Sequence, residues 1–179
     1  MFTKRRVFLF IIFIAIFSIA YSVGSESKLS PDDSKSFVKE FQSAVNGIDA
    51  LGIFAHNASV ALPMFVPGFG IAWGLFAAYS TGVAFSALVA TNPMLTKLPP
   101  LALIFLSPFG IMEIVAYSIG MSRSFLLING LIKKKPLRLE LRNTAIEIGI
   151  VIALLLAAGF IEYSMIQEFG SNFANIKNP

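Results

Sequence analysis

From Ala50 through Thr96 the chain runs for 47 consecutive residues without an Asp, Glu, Lys or Arg. As one straight helix this stretch would be roughly 70 Å long. The hydrocarbon core of a bilayer is only about 30 Å thick. The run must therefore fold back on itself, and Pro63, Pro67, Gly68 and Gly70 in its first half supply the material for a kink or turn. This predicts one span near Ile53–Gly70 and another near Ala72–Ala90. Composition says why lipid, not water, is the solvent. Hydrophobic residues make up 56% and charged residues 13%, against about 45–50% and about 25% in soluble domains. A chain of 179 residues cannot bury that much apolar surface in one soluble core. A nucleic-acid enzyme and a disordered tail are excluded on this ground. A disulfide-stapled secreted domain is excluded because there is no cysteine.

Three further spans follow from the same criterion. Residues 1–23 hold Lys4, Arg5 and Arg6 and then an apolar run from Val7. That is an N-terminal transmembrane anchor or a signal peptide; the length of the run and an interfacial Tyr21 favour the anchor. A fourth span covers Leu101–Met121, after a short loop with Thr91, Asn92, Pro93, Lys97, Pro99 and Pro100. The last is Asn143–Ile161. Residues 24–52 are polar. There Ser30-Pro31-Asp32-Asp33 has the form of a helix start, and Phe37, Phe41, Val45 and Ile48 fall on one helical stripe. Asn46-Gly47 suits the end of that short amphipathic helix. The division is thus an anchor (1–23), a polar segment (24–52), a four-helix transmembrane domain (53–161) with a basic loop (123–142), and a tail (162–179). The fold class is an all-α, polytopic membrane helical bundle of about five transmembrane helices.

Charge placement orients it. The loop from Arg123 to Arg142 has six bases and one acid, whereas Gly24–Gly52 has three bases and five acids. The positive-inside rule puts the amino terminus and the basic loop in the cytoplasm, and the polar segment and the C-terminal tail outside. Five spans satisfy both placements; a single span over Ala50–Thr96 would put Lys133-Lys134-Lys135 outside. The net charge of +4 then need not mean a polyanionic partner: Lys133-Lys134-Lys135 reads first as a signal of topology in a cell membrane, with an anionic-lipid or nucleic-acid site as the alternative.

Glu113 is the residue most open to a functional reading. It lies about twelve residues into the fourth span, near mid-membrane, where an acid costs several kcal/mol unless it is protonated, paired or beside a polar cavity. A structural role, bonding across helices, and a functional one both fit. Asn57, His56 and Tyr117 are the available partners. Arg123, ten residues on, is expected near the interface, where Glu147 matches its depth; the two should neutralise each other or snorkel. Catalytic and metal-ligating sets are missing: His56 is the sole histidine and there is no cysteine. Gly68-Phe69-Gly70 lacks the context of a phosphate loop. Gly70 and Gly74 form a GxxxG pair that permits close helix approach. Asn57-Ala58-Ser59 fits the glycosylation pattern, at a depth where modification is impossible.

Ile53-Phe54-Ala55-His56-Asn57-Ala58-Ser59-Val60-Ala61-Leu62 resembles the start of the conserved region of the stage II sporulation protein M family. Pro108-Phe109-Gly110-Ile111-Met112-Glu113 is similar to that family's Pro-His-Gly-x-x-Glu segment, and Gly120-Met121-Ser122-Arg123 to its Gly-x-x-Arg. The resemblance covers roughly Ala50 to Ile161. Phe109 departs from it, standing where the family usually has His, so chemistry that needs that His is in doubt. The resemblance implies a five-span inner-membrane protein without enzymatic activity. In spore formers such a protein helps hold cell-wall-degrading partners at the engulfing membrane; outside them, the role of membrane scaffold or accessory subunit is what carries over.

Two functions are therefore expected from the residues. The first is a scaffold or accessory subunit with no cofactor, surrounded by the lipid bilayer and joined to membrane or extracytoplasmic protein partners, with no nucleic acid and a possible homo-oligomer. The alternative is a small transporter or channel built on Glu113 and the helix breaks at Pro63–Gly70 and Pro108–Gly110, since interrupted helices near mid-membrane often line substrate sites. A polar cavity converging on Glu113 and the first break would favour transport; a packed interior would favour the scaffold.

Overall fold

The computed structural model describes residues 3–45, 47–92, 95, 97 and 99–176, and for 41–42, 44–45, 103 and 169–176 the backbone alone. Every regular element among these residues is helical. They are α1 (Lys4–Ser25), α2 (Pro31–Val45), α3 (Ala50–Ala61), a 3-10 turn (Leu62–Phe65), α4 (Phe69–Thr91), α5 (Pro100–Leu106), α6 (Pro108–Ile132) and α7 (Arg138–Ile176). Four of them, α1, α4, α6 and α7, are long and apolar enough to cross a membrane.

Local chemistry sets the helix starts. Thr3 caps α1 by accepting from the Arg6 N–H. Ser30 accepts from the Asp33 N–H at 3.1 Å and donates to its carboxylate at 2.6 Å, which starts α2 at Pro31. Asp49, the last charge before the long neutral run, caps α3 through the Gly52 N–H. Phe37 of the expected amphipathic stripe is half-buried on α2, which lies against α4. The side chains of Phe41 and Val45, like Asn46 and Pro93, lie outside the described residues.

The neutral run folds as a helical hairpin. α3 ends in the 3-10 turn at Leu62-Pro63, and Val66-Pro67-Gly68 reverses the chain, Gly68 having a φ of 77°. α4 then returns beside its own approach: the Trp73 indole N–H donates to the Val60 carbonyl at 2.9 Å, and Gly70 sits against the Met64 backbone. The first arm is shorter than the expected Ile53–Gly70 span. It is 12 residues of α-helix and four of 3-10 helix, together roughly 26 Å. On α4, Gly70, Gly74, Ala78 and Gly82 are all buried. A Cβ on Gly74 would strike the Met121 side chain, and one on Gly82 the Tyr21 carbonyl oxygen. The GxxxG pair is thus the first half of a four-residue face that lets α1, α6 and the 3-10 turn approach closely, the packing that membrane helices rely on where no water drives them together.

Two further helices differ in extent from the expected spans. The stretch Leu101–Met121 is interrupted at Ser107, whose backbone is extended and whose hydroxyl caps α6 through the Gly110 N–H at 3.2 Å. Pro108 occupies the first position of α6 and has no N–H to give to α5, so the helix restarts there and runs on to Ile132. The last span reaches well past Asn143–Ile161. α7 is one helix of 39 residues, because nothing in its polar C-terminal part breaks it.

The interior is aromatic and aliphatic: Phe13, Phe17 and Tyr21 of α1 meet Phe125, Tyr117 and Phe85 respectively, around Met64, Met121, Val151 and Leu155. α1 is therefore a wall of the core. At the far end of α6 the backbone closes in a Schellman motif, the Lys134 N–H bonding Leu131 O and the Lys135 N–H bonding Gly130 O, both at 2.9 Å. Lys134 takes the left-handed position of that motif, with φ 55°.

The packing face has a direct test. Gly82→Val should lower the thermal midpoint of the protein in detergent through overpacking against α1, at a cost of about 1–3 kcal/mol. Gly149→Ala on α7, where an added methyl meets nothing within 4 Å, should raise it by about 0.5–1 kcal/mol. Equal midpoints for the two variants would contradict the close α1–α4 contact.

Candidate functional site

Two polar clusters lie inside this apolar bundle, and α6 contributes to both. The first is ionic. Glu147, in the third turn of α7, receives two guanidinium groups. Arg6 binds it in a two-pronged pair, Nε to Oε1 and Nη2 to Oε2, each at 2.8 Å. Arg123 binds it from α6, Nε to Oε2 at 2.7 Å and Nη2 to Oε1. The other guanidinium nitrogens also find partners: Arg6 Nη1 donates to Ser122 Oγ at 2.6 Å, Arg6 Nη2 also to the Ile119 carbonyl, and Arg123 Nη1 to Glu140 at 2.8 Å. Arg6, Arg123 and Glu147 are 6%, 2% and 4% exposed. Two cations (Arg6, Arg123) and two anions (Glu147, Glu140) sum to zero. Fork-to-carboxylate geometry of this kind gives the strongest charge-assisted hydrogen bonds a protein has.

The second cluster surrounds Glu113. Asn57 of α3 donates through Nδ2 to Glu113 Oε1 at 2.8 Å, and its carbonyl oxygen accepts from the Tyr117 hydroxyl at 3.4 Å. Glu162 of α7 is within electrostatic reach of Glu113. Glu113 itself is half-buried. From Arg123 to Glu113 is ten residues, roughly 15 Å along α6. The two clusters are therefore separate sites at different depths.

The sequence-derived candidates divide accordingly. Asn57 and Tyr117 do meet Glu113, and Arg123 does meet Glu147. His56 does not join either group. Its side chain is exposed, and its backbone carbonyl accepts from the Ser59 hydroxyl. Arg123 is nearly inaccessible, closed in by Glu147 and Glu140 of α7. Arg6, Glu140 and Glu162 were missed. Arg6 reads as one of three bases flanking an apolar run, the ordinary signature of orientation. Its helical position was the usable signal: Arg6, Phe13, Phe17 and Tyr21 are the buried positions of α1, along with Gly24.

The helix breaks also separate. Ser124 Oγ donates to the Val66 carbonyl, and Gly68 faces Ile128. The turn with Pro63, Pro67, Gly68 and Gly70 therefore sits toward the Arg123 end of α6, away from Glu113. Only the second break approaches the acid: Pro108 and Gly110 precede Glu113 in the first turn of α6, where Gly110 is pressed on the Ile104 carbonyl. A shallow groove lined by Ser27, Phe85, Ser86, Val89, Leu95 and Pro100 includes neither cluster. Among the described residues no three His, Asp or Glu side chains gather as a metal site would require.

Glu147→Gln should be severely destabilising, by about 3–5 kcal/mol, because it leaves two buried guanidinium groups facing a neutral amide. Replacing Arg6, Arg123 and Glu147 together by apolar residues of similar volume should cost far less. Exchanging the charges of Arg123 and Glu147 should not restore stability, since the exchanged cation would then face Arg6. Thermal unfolding in detergent distinguishes these outcomes; full recovery by the exchange would show that Arg6 does not share Glu147.

Neither a curated protein nor a solved structure matches the chain. The family model of stage II sporulation protein M matches residues 7–163, from the first apolar residue of α1 to just past Glu162. That range includes α2–α6 whole, α1 from Val7, α7 as far as Tyr163, and every residue of both clusters except Arg6. On the strength of that match, the chain belongs to the stage II sporulation protein M family.

Proposed function

We propose that this protein is a membrane scaffold or accessory subunit, holding partner proteins at the membrane without chemistry of its own. The observation that carries this reading is the ionic cluster. The buried charges Arg6, Arg123 and Glu147 of α1, α6 and α7 are spent on one another, so the bundle is braced where a carrier would need charges free to bind and release a solute. The separation of the Pro63–Gly70 turn from Glu113 weighs the same way, since it removes one of the two features that favoured transport. Membership of the family supports the role to the extent described for its resemblance above.

The topology that accompanies this reading has five crossings in the cell membrane, with the α3 arm and its 3-10 turn as the short one. The amino terminus and the Lys133–Lys135 turn are cytoplasmic. α2 and the end of α7 are outside and are the surfaces offered to extracytoplasmic partners. α1 remains in the mature protein, because removing it would take away Arg6 together with Phe13, Phe17 and Tyr21.

Co-purification from native membranes with mass spectrometry tests the role. The expected outcome is a defined membrane or extracytoplasmic partner that is lost when the polar face of α2 is altered. Proteoliposome flux provides the counter-test: solute flux above background that Glu113→Gln abolishes would replace the scaffold by the transporter. For the topology, Pro136→Cys places a lone thiol at the end of the lysine turn of a cysteine-free chain. It should react with an impermeant maleimide only after cells are permeabilised.

A further inference from the structure

We propose that the tip of the α6–α7 hairpin is a binding surface for anionic phospholipid headgroups. The tip holds five exposed bases: Lys133, Lys134, Lys135, Arg138 and Arg142. None of them makes an ion pair among the described residues. The one acid in the segment, Glu140, is turned inward to Arg123. The ionic cluster thus takes up the only counter-charge at hand and leaves the tip wholly cationic, which the bare count of six bases and one acid conceals.

Backbone conformation adds an independent observation. Lys134 occupies the left-handed position that closes α6, where glycine fits without strain and a side chain does not. A lysine there works against the local backbone, so the fold gains nothing from it that glycine would not give. The same tip exposes large apolar side chains: Ile132 at 74%, Leu139 at 66% and Leu141 at 63%. In water such a mixture is unfavourable. At the headgroup layer both halves are satisfied, the apolar side chains entering the acyl boundary and the bases meeting phosphates. α6 and α7 run about ten residues past the Arg123–Glu147 level, roughly 15 Å, which in the proposed topology brings the tip to that layer. The occupant this surface fits is therefore an anionic leaflet. Charge complementarity selects it over zwitterionic lipid, and the apolar flank selects it over a soluble polyanion.

Native mass spectrometry of the full chain in detergent, with phosphatidylglycerol or phosphatidylcholine added, tests this where membrane topology plays no part. Phosphatidylglycerol should be retained preferentially, and the preference should fall about fivefold for each lysine replaced by glutamine. It should shrink as salt is raised. Replacing all three lysines by arginine should keep the preference. Lys134→Gly should lower it while the thermal midpoint stays level or rises, which separates loss of the headgroup contact from loss of fold. Equal retention of the two lipids, or a preference unchanged by the three glutamines, would overturn the proposal. A label on Ile132→Cys that stays open to an aqueous quencher in phosphatidylglycerol nanodiscs would do the same, and would indicate a protein as the occupant.

Discussion

A carboxylate shared by two guanidinium groups is the constraint on which the arrangement of this bundle depends. Glu147 is nearly inaccessible, and without partners its ionised form would be costly in so apolar a setting. With Arg6 and Arg123 each bound to both carboxylate oxygens, and Glu140 completing Arg123, the cluster is neutral and every guanidinium nitrogen has a partner. Charges in apolar surroundings have few alternative partners, so such a cluster selects one register of α1, α6 and α7 where apolar contacts alone would allow several. The apolar core then has a fixed frame in which to interlock: Phe17 against Tyr117, Phe13 against Phe125, Tyr21 against Phe85.

Close approach does the remaining work. Small residues on α4 bring its backbone against α1 and the 3-10 turn, and Gly159 does the same for α7 against α3. Two helices with glycine at the contact gain van der Waals area without displacing a side chain, which matters where lipid tails offer every apolar surface an equal alternative. The Glu113–Asn57–Tyr117 group belongs to the same logic at another level, linking α3 to α6 by polar contacts that lipid could not replace. Both clusters brace helices together, which is the property a scaffold needs.

Much of the architecture was legible beforehand, for reasons of range. The start of α2 at Ser30-Pro31 and the fold-back at Pro63–Gly70 follow from side-chain–backbone bonds and backbone restrictions that act within a few residues. The break at Pro108–Gly110 was expected, but its form, a full restart of the helix after Ser107, was not. Proline within an apolar run is compatible with a kinked helix or a restart, and the choice turns on the Ser107 hydroxyl capping the Gly110 N–H. The length of α7 was missed because a change from apolar to polar residues marks the edge of a membrane, not the end of a helix.

Sequence alone determined that the chain is a helical membrane protein, where its apolar segments lie and which side of each segment is basic. These are properties of hydropathy and charge summed over short windows. Partner choice was decided only by the tertiary structure. Arg6 and Glu147 are 141 positions apart, and no window holds both. Whether they meet depends on the rotation and depth of two helices packed against a third. The same packing turned His56 outward and Asn57 inward, and drew Glu140 away from the lysines beside it.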